Sequence, residues 1–463
     1  MAARVTVVDT PELGDRSYVV DDGEVALVVD PQRDTNRVEA VLDALGVRPD
    51  LVVETHIHND YVTGGLALAR RHGIRYAVNA DDPVAFDRTP VRDGDELAAG
   101  RLRVRVVATP GHTVTHLAYV VTDTGDPEAP PAVFTGGSLL YGSVGRTDLV
   151  DPARTTELAH AQYHSAHRLA AELPDASAVF PTHGFGSFCS SGPAVGGDTS
   201  TIGAEKARND ALTADDEDGW VERLVAALTA YPTYYVHMAP RNLAGPVAPD
   251  PAAPAAVDPG ELAARIAAGG WVVDLRDRTA YAADHVAGTV GIELGTQFAT
   301  YLGWVVPWGA PLTLLGETPE QVAAAARQLV RIGVDELAGA ASGPLDRIAA
   351  GLPRRAYPRA TFADLAARPA GDLVLDVRRD DEWRRGHLPG ALHLPLAEIV
   401  ARHAELPTAR LWVHCAAGFR AGIAASLLDR AGHAVVHVDD DFAAVGAAGL
   451  SLVTEAPVAA AVG

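Results

Sequence analysis

Two kinds of loop in this chain carry residue types that do chemistry. Thr55-His56-Ile57-His58-Asn59-Asp60 stands directly behind the apolar run Leu51-Val52-Val53. A short Val/Leu run bounded by polar residues reads as a buried strand. The loop leaving it gathers two imidazoles and a carboxylate, the ligands that zinc and ferrous iron prefer. Thr109-Pro110-Gly111-His112-Thr113 and Phe180-Pro181-Thr182-His183-Gly184 follow two further apolar runs. One histidine is ordinarily a packed or solvated loop residue, but three strand-end loops that each deliver one point to a metal site. The other loop is Cys415-Ala416-Ala417-Gly418-Phe419-Arg420, between the strand-like Leu411-Trp412-Val413-His414 and a helical stretch from Ala421 to Asp429. Small residues and Gly418 let backbone N–H groups turn inward, and a helix N-terminus adds positive potential, so the loop suits a thiolate. The alternative is a buried, inert cysteine.

Composition and patterning name the elements that must position these loops. The 463 residues are 48% apolar, and the length suggests about three domains, each able to bury a core. A net charge of −22 argues against nucleic acid or an anionic membrane as partner. No stretch approaches the ~18 apolar residues of a membrane span. Two cysteines, Cys189 and Cys415, exclude a disulfide framework and fit a reducing compartment. The start, Met1-Ala2-Ala3-Arg4-Val5, lacks a signal-peptide pattern, so a cytoplasmic location is expected. The oligomeric state is left open, a homo-oligomer included.

Residues 1–245 alternate β-branched runs, such as Arg4 to Val8 and Leu102 to Val107, with helical patterns such as Val38 to Leu45. That mixture predicts two sheets flanked by helices. Residues 246–258 are rich in Ala and Pro and read as a semi-rigid linker. Beyond them lies a repeat. Trp271-Val272-Val273-Asp274-Leu275-Arg276 recurs 102 positions later as Leu373-Val374-Leu375-Asp376-Val377-Arg378, and His285-Val286-Ala287-Gly288 as His387-Leu388-Pro389-Gly390. Two copies, 259–355 and 356–463, each read strand, helix, strand, helix, which predicts α/β domains with parallel sheets. Towards the end of each copy the offset is 99, which sets Gly316 against Cys415 and Gln321 against Arg420. The first copy therefore has neither thiol nor guanidinium, and a structural or docking role is expected for it.

The histidine loops resemble the metallo-β-lactamase superfamily, whose pattern is His-x-His-x-Asp-His, a later His, a bridging Asp and a final His. Phe134-Thr135-Gly136, Gly145-Arg146-Thr147-Asp148, Gly184 to Cys189, Ser200 to Gly203 and Tyr231 to Met238 resemble its persulfide dioxygenases fused to rhodanese domains. Asp-Val-Arg, His-Leu-Pro-Gly and Cys-x-x-Gly-x-Arg in the last copy resemble rhodanese. The resemblance implies an αββα sandwich followed by two rhodanese-like α/β domains. It also implies ferrous iron held by two His and an Asp, which maps onto His56, His112 and position 137. Gly137 stands at that position, and Tyr61 stands where the superfamily has a histidine. Glycine offers no oxygen ligand, and a phenol must lose a proton of pKa ~10 to bind a metal strongly. Two readings of the site follow. In one, His56, His58 and His112 bind iron or zinc, helped by Asp60 or His183. In the other the loops persist as scaffold without a tightly bound metal.

For the cysteine loop the resemblance implies a Cys415 thiolate that attacks sulfane sulfur, with Gly418 shaping the cradle and Arg420 facing the oxyanions of thiosulfate or sulfite. The implied partners are small thiols, persulfides, thiosulfate and sulfite. The leading expectation is a cytosolic sulfurtransferase joined to a dioxygenase-like domain. The alternatives are a zinc thioester hydrolase of the glyoxalase II type, and a degenerate docking module attached to a rhodanese. Cys189, six residues after His183, reads either as a persulfide relay or as a packing residue. Arg146 reads either as a partner for a substrate carboxylate or as an ion-pair partner of Asp148.

Overall fold

A computed structural model describes residues 3–192, 198–249 and 253–454. The chain divides into two compact units, Met1–Asp250 with Leu329–Asp335, and Pro251–Gln328 with Glu336–Gly463.

The first unit holds two six-stranded sheets. One is built from β1 (Arg4–Thr10), β2 (Asp15–Asp21), β3 (Val25–Val29), β4 (Arg48–Val53), β5 (Arg75–Asn79) and β6 (Thr89–Val91) in sequence order. It begins antiparallel and turns parallel from β3 onward. The other holds β7 (Glu96–Ala99), β8 (Leu102–Ala108), β9 (Leu117–Asp123), β10 (Ala132–Gly136), β11 (Ala178–Pro181) and β12 (Ser200–Thr201), again in order. Alternate residues of the strands point to opposite faces. Leu27, Leu51 and Val53 of the first sheet meet Leu102, Val104, Tyr119 and Phe134 of the second between the sheets. On the outer face of the first sheet, Val28, Val52 and Val78 pack with Val38 and Leu42 of the helix Asn36–Leu45 and with Leu66 and Ala69 of Gly65–His72. Val107, Val120, Val133 and Val179 do the same for the second sheet, against Ala159, Ala166 and Leu169 of Thr155–Glu172 and Trp220 and Leu224 of Glu217–Ala227. The central strands β2 and β3 are buried along their whole length, and β3 reads as a continuous apolar run. The result is the αββα sandwich expected from the sequence.

The second unit holds two parallel sheets. The first runs Val290–Gly291, Trp271–Asp274, Leu312–Gly316, Leu337–Ser342. The second runs Leu392–His393, Leu373–Asp376, Leu411–His414, Val435–Val438, with Arg359–Ala360 added at the edge. The shared strand order is the physical form of the sequence repeat. Residues 250–252 of the segment read as a linker lie outside the described residues. Its later part is not a spacer. Ala256 pairs in parallel with Ala340, Val257 N–H donates to the Ala340 carbonyl at 2.9 Å, and Val257 is buried against Leu262, Val272 and Leu315. It takes the edge place that Arg359–Ala360 holds in the second copy. Among the described residues no helix is long and apolar enough to cross a membrane.

Candidate metal centre and cysteine loop

β8 and β10 both run antiparallel to β9, and β11 runs parallel to β10, so their C-terminal ends leave the sheet at one edge. His112, Gly137 and His183 follow those ends, and the loop after β4 brings His56 to them. His56 Nε2 lies 3.3 Å from His183 Nε2. All these side chains are buried.

Each ring is fixed through its outer nitrogen. Thr55 Oγ1 donates to Asp30, so it accepts from His56 Nδ1 at 2.9 Å. His112 Nδ1–H donates to the Arg146 carbonyl at 2.7 Å, which leaves Nε2 as a lone pair with no hydrogen-bond partner. His183 Nδ1–H donates to Asp15 Oδ1 at 2.8 Å, with Asp60 Oδ2 3.3 Å away. Burial works against a charge on His183, but Asp60 and Asp15 outweigh it and raise the group to about 10. Burial opposes ionisation of Asp60 too, and His183 reverses this and holds the carboxylate well below its ordinary range. Burial and the Asp60 charge push Asp15 up to about 8, so Asp15 is the acid that keeps its proton.

His58 borders the same cluster on one side, with one ring nitrogen within 4.8 Å of one each of His56 and His183, and its buried Nδ1 has no hydrogen-bond partner; its other side faces an acid cluster. Its Nε2 lies 3.0 Å from Glu54 Oε2, 2.9 Å from the Tyr61 hydroxyl and 3.4 Å from Asp30 Oδ1. Burial disfavours its cation, yet Asp30 and Glu54 raise it to about 9. Tyr61 stacks on His58, and burial pushes its phenol well above the ordinary range. Tyr61 is thus tied into an acid cluster with His58. Sequence reasoning missed Asp15, Asp30, Glu54 and His116. His116 was in view, four residues after His112, and its Nε2 accepts the Gly137 N–H at 2.9 Å while its ring stacks on His56.

The ferrous triad implied by the resemblance does not fit these residues. Gly137 has no side chain, and a Cβ there would lie 2.5 Å from His112 Cγ, so the imidazole fills the space a carboxylate would need. Cys189 lies beside the histidines instead. Its thiol sulfur and one ring nitrogen each of His112 and His183 all fall within 4.8 Å of one another. Burial pushes its thiol well above the ordinary range. Arg146 is committed elsewhere, to Asp148 through two contacts of 2.7 Å and to the carbonyls of Phe188 and Thr229. That is the ion-pair alternative of the two the sequence left open.

In the second unit, Leu411–His414 is wholly buried and ends at Cys415, 2% exposed, ahead of the helix Phe419–Arg430. Gly418 has φ 82°, and a Cβ on it would run into Asp439, so only glycine closes this turn. Arg420 does not face open space. Its Nη1 and Nη2 grip Glu382 of the helix Asp380–Arg385 at 2.6 and 2.8 Å. Burial would raise the Glu382 carboxyl, but Arg420 and Arg379 hold it down at about 2. The first copy reaches over this loop. Tyr301, on the buried helix Phe298–Val305, sets its ring 5.4 Å from Phe419, and burial raises its phenol against the opposing pull of Arg420. In that copy Leu315 pairs with Asp274 as His414 pairs with Asp376, so Gly316 takes the place of Cys415. Gln321 there bonds the Glu317 N–H and the Leu275 carbonyl.

Residues 13–183 match the metallo-beta-lactamase superfamily and residues 361–448 the rhodanese-like domain. The rhodanese-like match covers the second copy only, so one such domain is shown where two were expected. Persulfide dioxygenase ETHE1, mitochondrial, from Bos taurus is 30% identical over 208 residues, 44% of this chain and 72% of that protein. Hydroxyacylglutathione hydrolase from Acidiphilium cryptum is 38% identical over 121 residues, 26% of this chain, and the chain spans only 49% of it. The crystal structure of a metallo-beta-lactamase from Staphylococcus aureus subsp. aureus COL shares the fold with a TM-score of 0.65 at 25% identity, covering 74% of this chain and 99% of that one. Fold and site together define a metallo-β-lactamase-superfamily protein carrying a rhodanese-like domain. Within that superfamily the chain belongs to the persulfide dioxygenase family.

Proposed function

We infer that this chain is an enzyme of sulfur metabolism whose transfer chemistry resides at Cys415. The observation that carries this reading is the loop itself: a buried thiol at the C-terminal end of a parallel strand, closed by Gly418, at the start of a 12-residue helix, inside the rhodanese-like match. The Cys415 thiolate attacks the outer sulfur of thiosulfate, a new S–S bond forms, the old one breaks, and sulfite leaves with its electron pair. A second thiolate or cyanide then takes the outer sulfur from the Cys415 persulfide and returns the thiolate. No external oxidant or reductant enters this cycle. The first copy acts as a non-catalytic partner domain that supplies Tyr301 to the pocket wall.

The kinship with persulfide dioxygenases supports a persulfide as the molecule met by the N-terminal domain. Ordinary iron-dependent dioxygenation is not part of this reading, because position 137 lacks the carboxylate. Incubation with thiosulfate should add one sulfur atom to the Cys415 peptide by mass spectrometry, and Cys415→Ser should abolish thiocyanate release from thiosulfate and cyanide. Full activity in that variant would move the chemistry to another residue.

A further inference from the structure

The space left by the missing carboxylate is occupied, and what surrounds it is a different ligand set. We propose that His112 Nε2, His183 Nε2 and the Cys189 thiolate form a metal site selective for zinc over iron. The reasoning starts from orientation. A ligating histidine normally donates its other ring N–H to a carbonyl or carboxylate, which fixes tautomer and direction. His112 does so to the Arg146 carbonyl and His183 to Asp15. The same Arg146 backbone also fixes the cysteine, since its N–H donates to the Cys189 carbonyl at 2.9 Å. One peptide segment therefore sets two of the three ligands.

The second observation is the His112 Nε2 lone pair, fully buried and without a hydrogen-bond partner. Leaving a buried acceptor unpaired is costly, so this lone pair calls for a partner. Zinc bonds of about 2.0–2.3 Å place tetrahedral ligand atoms roughly 3.3–3.8 Å apart. The Cys189 sulfur and one ring nitrogen each of His112 and His183 lie within 4.8 Å of one another, so small side-chain rotations close the set. His56 Nε2, 3.3 Å from His183 Nε2, borders the open position.

Charge completes the argument. Iron in a facial triad is offset by one carboxylate, and position 137 no longer offers it. A thiolate restores that single negative charge, and soft sulfur favours zinc over ferrous iron. Binding exchanges the Cys189 thiol proton and the His183 Nε2 proton for the metal, and both protons leave to solvent. No electron transfer is involved. The inference does not rest on transfer chemistry at Cys415.

The test uses the full-length protein stripped with chelator and reloaded with cobalt(II) as a spectroscopic stand-in for zinc. Thiolate-to-cobalt charge-transfer absorption in the near ultraviolet is expected, unchanged in Cys415→Ser and lost in Cys189→Ser. Zinc affinity, by competition with a chromophoric chelator, should fall at least about tenfold in Cys189→Ser while the circular dichroism stays the same. A wild-type cobalt spectrum without that band overturns the proposal, as does a band that survives Cys189→Ser. Should Cys189→Ser not fold, the wild-type and Cys415→Ser spectra still decide the matter.

Discussion

The His112 ring lies where a Gly137 side chain would begin, so Gly137→Asp does not return a carboxylate to an empty place. Overpacking a buried site costs about 1–3 kcal/mol. Gly137→Asp should therefore lower the melting temperature by several degrees and leave iron content by elemental analysis near that of the parent protein. A stable variant carrying a full equivalent of iron would mean that His112 swings aside freely. The Arg420–Glu382 pair makes a second prediction at this scale. Removing Arg420 takes away the closest cation of a half-buried carboxylate and leaves it only Arg379, and Arg420→Ala should cost about 2 kcal/mol, recovered in part when Glu382→Ala is added. The folded value of Glu382, about 2, lies below the ~4.3 of an unfolded glutamate. Its contribution to stability is thus present above the unfolded value and lost as pH falls through the folded one. The stability advantage of the parent over Glu382→Gln, read by urea unfolding, should shrink between roughly pH 5 and pH 2; an advantage that grows on acidification would contradict the pairing. Cys415, Gly418 and Arg420 were legible because six consecutive residues carry the whole device. Glu382 was not, because its helix lies 38 residues upstream of Arg420 and reads as an ordinary charged surface.

At the scale of elements, strand ends explain why the histidines could be read and the acids could not. His56, His112 and His183 each follow an apolar run, and the run predicts the strand that positions them. Asp15 opens a strand, and Glu54 and Asp30 each follow one directly, so nothing local in the sequence separates them from ordinary strand-end residues. The repeat told that two α/β copies exist. It did not tell that the helix Phe298–Val305 of one copy covers the cysteine loop of the other, because that contact has no counterpart within a copy. Its consequence is testable through Tyr301→Leu, which keeps the position apolar and removes the aromatic edge on Phe419. Volume-similar apolar swaps usually cost under about 1.5 kcal/mol, so the variant should fold. Persulfide should still form on Cys415, while the KM for thiosulfate rises several-fold. An unchanged KM with a lowered melting temperature would leave Tyr301 a packing residue only.

Over the whole molecule, 60 acidic residues against 38 basic ones leave a charge of −22, and the substrate proposed for Cys415 is itself a dianion. The guanidinium of the cysteine loop does not offset this, since Glu382 neutralises Arg420. A negative field repels an anion on approach, and salt screens that repulsion. Raising ionic strength from ~0.01 to ~0.15 M shortens the screening length from about 30 to about 8 Å. The kcat/KM for thiosulfate should therefore rise a few-fold over that range with kcat little changed, because encounter is affected and the chemical step inside the loop is not. Cyanide, largely protonated and neutral near pH 7, provides the internal control: its second-order rate with preformed Cys415 persulfide should respond far less to salt. A thiosulfate rate that falls as salt is added would show that local cations outweigh the net charge and steer the substrate in.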